Sequence, residues 1–269
     1  MKRSSRLIAF ALPALCSCAS DPVTSVTTPE RARFDVATAA DGAPLVYGVE
    51  NTGANLPTPV FPALADLPVS NLLPDPFTPY LGGARDASLA GWEGRRQEFK
   101  ASIEKFEIGT KPDASDVTVS ATYTPGTNTA TEIRGTLTVL VTRPSNGKTL
   151  TLTSAVTRPV GSPTGPVPAI IGMNSPSGSV PAVVFTSRNI ARITYAHNNV
   201  TTYFGKSAAN PFYQMYPEYA GTGESGQYSA WAWGVSRLID GMQQVASRPD
   251  SPLPIDMQHV GVTGCSYAG

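Results

Sequence analysis

Cysteine and histidine are scarce in this chain, with three and two residues among 269. The sequence offers no histidine- or cysteine-rich ligand set, and neither a metal nor a cofactor is expected. Net charge is missing too. Twenty basic and twenty acidic residues cancel, and charged residues make up only 15%. No broad field exists to hold nucleic acid or an anionic membrane, so any charged ligand must be held by local groups. No apolar run is long enough to span a bilayer either; the N-terminal one covers only residues 7–15. What remains is a chain with 41% hydrophobic residues, long enough for one large domain with a substantial core.

The N-terminus reads as an export signal, because Lys2, Arg3 and Arg6 precede that short apolar run. The run ends in Leu15-Cys16-Ser17-Cys18, which resembles a bacterial lipobox with Cys18 as the lipidated residue; a plain signal cut near Ala19 is the alternative. The expected location is therefore the periplasm or cell surface, with contact to the membrane through a lipid anchor only. Cys16 falls in the removed segment and Cys18 would carry lipid. Cys265 is then left without a partner in an oxidising compartment.

Three regions follow from composition and pattern. Residues 1–18 form the signal peptide, of lipoprotein type. Residues 19–66, rich in Thr, Pro and Ala, form a tether and lead-in. Residues 67–269 form the folded domain. Within it, Trp92, Phe99, Ile103 and Phe106 recur at helical spacing over residues 90–106, with charge assigned to the opposite side. Alternating stretches at 117–123, 133–143 and 150–157 predict antiparallel strands, with turns at Pro125-Gly126 and Asn146-Gly147. At 167–173 (VPAIIGM) alternation gives way to a continuous apolar run, as expected of a parallel strand covered on both faces. A second short run at 180–185 precedes residues 192–195 and a polar loop at His197-Asn198-Asn199. Residues 225–247 predict a helix with Ala230, Trp233, Leu238, Met242 and Val245 on one face and Ser225 as N-cap. Residues 255–263 then predict a strand. The grammar is that of an α/β fold with a doubly wound, mostly parallel sheet, whose ligands bind at the carboxyl ends of the strands.

One such end carries the chemistry. Residues 261–269 read GVTGCSYAG, a buried strand followed by a sharp turn at Ser266. Small residues at Gly264 and Cys265 let the backbone bend. A bend of this kind lifts a serine hydroxyl above the sheet and aims backbone N–H groups at a developing oxyanion. As a bare pattern the match to G-x-S-x-G is imperfect, since Ala268 stands at the second glycine and Gly269 follows one residue later. A strand-to-turn junction with a capping serine is the bland alternative.

Five stretches together resemble the glucuronoyl esterases, a family of carbohydrate esterases: LLPDPF at 72–77; Trp92, Arg95, Arg96 and Glu98 with FEIGTKP at 106–112; PAIIGM at 168–173; AWAWGVSRLIDGM at 230–242; and GVTGCS at 261–266. The resemblance runs over about residues 72–269. It implies an α/β-hydrolase fold, of which this chain holds the N-terminal portion. It also implies hydrolysis of esters of (4-O-methyl-)glucuronic acid in xylan–lignin linkages by a serine nucleophile, Ser266. The family motif G-C-S-R-x-G accommodates Gly269. Its arginine, which helps hold the oxyanion, is replaced by Tyr267, an oxyanion candidate that can donate one hydrogen bond but brings no fixed charge. The cysteine that pairs in the family with the one before the serine has no counterpart here.

Hydrolases of this fold order their triad as serine, acid, histidine, so the acid and the histidine are expected downstream of Gly269. On this reading the sequence is the N-terminal part of a longer esterase, inactive as it stands. His259, seven residues before Ser266 on one strand, would lie roughly 20 Å from it at about 3.3 Å per residue and is no base. His197 is the remaining histidine, as base or as an ordinary loop residue. Trp231 and Trp233 read as helix packing, and Asp240 as solvated or paired with Arg237. A carboxylesterase of other specificity is an alternative, as is a non-catalytic surface lipoprotein module.

Overall fold

In a computed structural model, residues 57, 59–67, 69, 71–162, 165–175, 177–203, 206–221, 225–249 and 253–266 are described. The signal peptide, most of the tether, Cys16, Cys18 and Tyr267 lie outside these residues.

A six-stranded sheet organises the domain. Its strands are β1 (Thr118–Pro125), β2 (Glu132–Arg143), β3 (Lys148–Pro159), β4 (Val167–Met173), β5 (Ala191–Tyr195) and β6 (Ile255–Thr263), in the spatial order β1-β2-β3-β5-β4-β6. Pairings from β1 through β3 to β5 are antiparallel, and β5–β4 and β4–β6 are parallel. The change in sequence pattern at residue 167 is this change in pairing. In β2 and β3, Leu137, Val139, Val141, Leu150, Leu152 and Val156 are all buried, and the threonines between them point to the opposite face. That alternation fixes register, because a one-residue slip would exchange the two faces. At the β2–β3 turn, Gly147 has φ of 67°, the left-handed conformation its position requires.

The apolar face is covered by α4 (Gln227–Ala246), whose Ala230, Trp233, Leu238, Met242 and Val245 are all buried. Gly241 permits the close approach: a Cβ there would lie 2.4 Å from a Val139 methyl. The helix N-cap is Gly226, which makes no side-chain cap; Ser225 is not the cap. Ser225 is buried instead, and its carbonyl accepts the Tyr213 hydroxyl at 3.2 Å. On the other face lies α2 (Ala182–Arg188), the element formed by the short apolar run after β4. A further short helix, α3 (Pro211–Met215), supplies Phe212 and Tyr213 to the core.

Helix α1 (Leu89–Ile103) is N-capped by Ser88, whose hydroxyl accepts from the Gly91 N–H at 3.0 Å, and it runs into a single π turn, Glu104–Ile108. The expectation that its charged side faces water is corrected at two residues. Arg95 and Glu98 are 2% and 5% exposed and form an ion pair. Arg95 Nε also donates to the Pro76 carbonyl at 2.9 Å, and its guanidinium lies 4.5 Å from the ring centres of both Tyr80 and Phe99. Glu98 accepts the Leu81 N–H at 3.1 Å. The pair is buried because it clamps residues 76–81 onto α1, where each charge meets both its partner and backbone. Phe61 packs edge-on against Phe106, with ring centres 5.7 Å apart, and its carbonyl accepts from Lys105.

Candidate active site

Strand β6 delivers Ser266. It pairs with β4 alone, Ile171 opposite Val262 and Gly172 opposite Thr263, and near its start a bulge carries Asp256 and His259. After Thr263 the chain turns through Gly264 and Cys265, and Ser266 has φ of 57°. A non-glycine residue with positive φ costs about 1–3 kcal/mol and persists only where its surroundings impose it; such residues gather at functional sites. Ser266 is exposed at the carboxyl end of the parallel strands, as a presented nucleophile should be.

The loop after β4 is fastened to this turn. Asn174, with φ of 57°, donates its N–H to the Tyr195 carbonyl at 2.8 Å and so ties the end of β4 to the end of β5. Gly178, φ 52°, lies so close to β6 that a Cβ would sit 2.4 Å from the Thr263 methyl and 3.0 Å from the Thr263 carbonyl oxygen. Ser179 and Thr263 hydroxyls hydrogen-bond at 3.0 Å. The backbone at Gly178 and Ser179 is thereby held beside the turn, where a loop N–H completes an oxyanion hole in folds of this kind. The sequence does not announce this fastening. The Asn-Ser-Pro-Ser-Gly composition signals a turn; nothing in it names Thr263, 85 residues away, as the partner.

A cavity of about 450 Å³ adjoins the turn, lined by Met173, Tyr228, Trp231, Val235, Thr263 and Gly264 among others. Lys111 reaches its rim and donates to the Ser236 hydroxyl at 3.1 Å. Trp231 is a wall rather than a platform: its indole N–H donates to the Thr201 carbonyl at 2.9 Å, and its own carbonyl accepts the Tyr195 hydroxyl at 3.0 Å.

The two histidines are placed differently from Ser266. His259 binds Asp256 through Nδ1 at 2.6 Å, in the bulge at the far end of β6. That hydrogen bond holds the Asp256 carboxyl below its usual range. His197 stands in a 3-10 turn beyond β5, 2% exposed and edge-on to Trp231, with ring centres 4.4 Å apart. Burial lowers its pKa and favours the neutral ring. Arg237 Nε donates to Asp240 at 2.6 Å, the pairing read from their spacing. Cys265 is exposed and unbridged among the described residues. Tyr267 lies outside the described residues.

Comparison with known proteins fits this geometry. Residues 141–269 match the family model for fungal glucuronyl esterases. The 4-O-methyl-glucuronoyl methylesterase of Thermothelomyces thermophilus is 32% identical over 199 residues, covering 73% of this chain and 43% of its own. That of Podospora anserina is 30% identical over 214 residues, covering 78% and 39%. This chain thus spans less than half the length of these curated relatives. Among solved structures, a CE15 glucuronoyl esterase from Teredinibacter turnerae superimposes with a TM-score of 0.52 at 19% identity, covering 72% of this chain and 50% of that one. One from Solibacter usitatus gives 0.51 at 18%, covering 75% and 59%. The structural likeness establishes the α/β-hydrolase fold. The sequence likeness goes further, and the chain belongs to the glucuronoyl esterase family.

Proposed function

We propose that Ser266 is the nucleophile of a serine carboxylesterase that cleaves esters of (4-O-methyl-)glucuronic acid, as at xylan–lignin linkages. The observation that carries the reading is the strained, exposed serine at the carboxyl end of β6, with φ of 57° beside a fastened loop. Ser266 Oγ attacks the ester carbonyl while a histidine takes its proton and an acid orients that histidine. The tetrahedral oxyanion is held by the Tyr267 N–H and an N–H from the 174–179 loop, with the Tyr267 hydroxyl as a further donor. Collapse expels the alcohol, protonated by the same histidine, and leaves an acyl-enzyme that water hydrolyses. Neither histidine of this chain is set for the part, since His259 is engaged with Asp256 and His197 is buried against Trp231.

The test joins this chain to whatever reading frame follows the codon for Gly269 and assays alcohol release from benzyl glucuronate. Activity that disappears in Ser266→Ala supports the proposal. Undiminished turnover in that variant overturns it. In the active protein, Tyr267→Phe is expected to lower kcat with little change in KM, the mark of an interaction made mainly in the transition state. An unchanged kcat would leave the oxyanion to backbone donors alone.

Export with lipid on Cys18 is part of the same proposal, supported by the basic residues, short apolar run and Leu15-Cys16-Ser17-Cys18. No described helix is long and apolar enough to cross a membrane. Mass spectrometry of the mature N-terminus should find a diacylglyceryl-modified Cys18; a free amine at Ala19 or beyond would overturn the anchor.

A further inference from the structure

A second polar site lies on the sheet face opposite α4, away from the nucleophile turn. Glu132 and Arg134 of β2, Thr157 of β3 and Arg192 of β5 share this face, and Thr136 and Thr194 continue it. They line a groove of about 500 Å³, within the range of small-ligand sites. Strand β4 separates β5 from β6, so the groove shares no strand with Ser266.

Three observations point to a ligand. The first is charge. Arg134 donates to Glu132 Oε2 through Nε and Nη2, at 2.9 and 2.7 Å, and Arg192 donates to Oε1. Both carboxylate oxygens are engaged, and the triad keeps one positive charge in excess. Arg134 chiefly, through its hydrogen bond, holds the Glu132 carboxyl below its usual range, so the carboxylate stays ionised and the count stands. The second is an orphan. Thr157 is in register between Arg134 on one neighbouring strand and Arg192 on the other, and its hydroxyl is covered without a hydrogen-bond partner among the described residues. An unpaired buried hydroxyl costs stability unless something uses it. The third is exposure of the cover. Arg192 is held over the Phe185 ring, whereas the Arg134 side chain is 48% exposed and lies at the open side of the groove.

We propose that this groove binds a sugar acid, its carboxylate on the guanidinium groups of Arg134 and Arg192 and its ring hydroxyls on Thr136, Thr157 and Thr194. Guanidinium binds carboxylate in two parallel hydrogen bonds, and threonine hydroxyls both donate to and accept from a hydroxylated ring. A neutral sugar would leave the excess charge unanswered, and a bare anion would leave the hydroxyl wall unused. The rank of hydroxyls continues through Thr138 and Thr153, paired across β2 and β3, so a uronic acid within a longer polysaccharide chain also fits.

The test is binding, with no readout of esterase activity, so it stands or falls apart from the role of Ser266. The full chain, labelled with nitrogen-15, is titrated with sodium glucuronate, glucose and sodium phosphate in parallel. Saturable amide shifts at Thr136, Thr157 and Thr194 are expected with glucuronate at concentrations where glucose gives none and phosphate binds more weakly. Arg134→Gln should weaken glucuronate about tenfold or more, given what a hydrogen bond to a charged group contributes. Thr157→Val should weaken it several-fold while leaving the fold intact, because the hydroxyl it removes has no partner to lose; this variant decides the matter if Arg134→Gln unfolds. The proposal is overturned if shifts are confined to Thr263 and Gly264, if glucose or phosphate matches glucuronate, or if Thr157→Val binds as the parent does.

Discussion

The two edges of the sheet are finished in opposite ways. At the β1 edge, α4 and the residues just after it cover the outer backbone with side chains: Gln244 accepts the Ala121 N–H at 2.6 Å and donates to the Val119 carbonyl at 3.2 Å, and Arg248, beyond the helix end, donates to the Ala121 carbonyl at 2.8 Å. An edge so covered cannot template another strand. At the β6 edge the strand pairs on one side only, with β4, and Val262 is 53% exposed. Packing follows the same division. Each buried residue of β2 and β3 has helix or strand around it, while along β6 only Ile255 is fully buried. The closed edge holds the fold. The open edge presents Ser266, with β4 paired along β6 and Gly178 and Ser179 set against Thr263.

The comparison fails first if α4 does not anchor the closed side. Trp233 is fully buried and packs against the Phe212 and Tyr216 rings, with centres 5.5 and 5.6 Å away. Trp233→Ala should therefore cost about 3–5 kcal/mol. Urea unfolding followed by tyrosine fluorescence or circular dichroism measures it, and a loss below 1 kcal/mol would deny α4 that role.

The closed side was also the easier to read. Alternation of Leu137, Val139 and Val141 with Thr136, Thr138 and Thr142 needs only a period of two, and the face of α4 only a period of 3.6. The turn at Ser266 was legible because its signal is local, a strand followed by Gly-Cys-Ser. Three features were not. Arg95 and Glu98 read as the wet side of a helix because periodicity records where apolar residues fall and says nothing of the partners that let charges be buried. Ser225 read as an N-cap because serine is a common one, but the cap position fell to Gly226, whose N–H donates to the Ile108 carbonyl at 2.8 Å. Residues 180–185 gave an apolar run too short to tell strand from helix, and α2 is what formed. The contact of Gly178 with Thr263 joins residues far apart in sequence, which no local pattern encodes.

That contact gives the second test, at the open edge. Gly178→Ala must accept φ of 52° and a Cβ 2.4 Å from the Thr263 methyl, so either the loop or the end of β6 must move. About 1–3 kcal/mol of stability should go. With the proposed role of these N–H groups in holding the oxyanion, kcat in the active protein should fall more than KM rises. Thr263→Ser, which removes the crowding methyl and keeps the hydroxyl bonded to Ser179, should recover part of the loss. Gly178→Ala behaving as wild type would mean the loop is not fastened.

Removing the cover from the closed edge is a gentler change. Gln244→Leu leaves the Ala121 N–H and Val119 carbonyl without their side-chain partners, and water replaces part of what is lost, so about 1 kcal/mol is expected. The sharper readout is association. With its cover gone, β1 should pair with a second copy, and sedimentation should show a concentration-dependent species absent from the parent. A strictly unchanged sedimentation profile would show that Arg248 suffices to guard the edge.

The smallest effect belongs to Val262. It lies on β6 opposite Ile171, in the strand that leads to Ser266, and its neighbours in sequence give it the look of a core residue. Yet more than half of its surface is exposed, so Val262→Ala removes little from a packed environment and should change stability by no more than about 0.5 kcal/mol. The same unfolding experiment on Leu137→Ala, fully buried in β2, should cost about 2–5 kcal/mol. Measured together, the two variants compare a position on the open edge with one on the closed side. Equal losses would mean that the exposed face of β6 is covered in solution, and the edge that presents Ser266 would then be a buried interface.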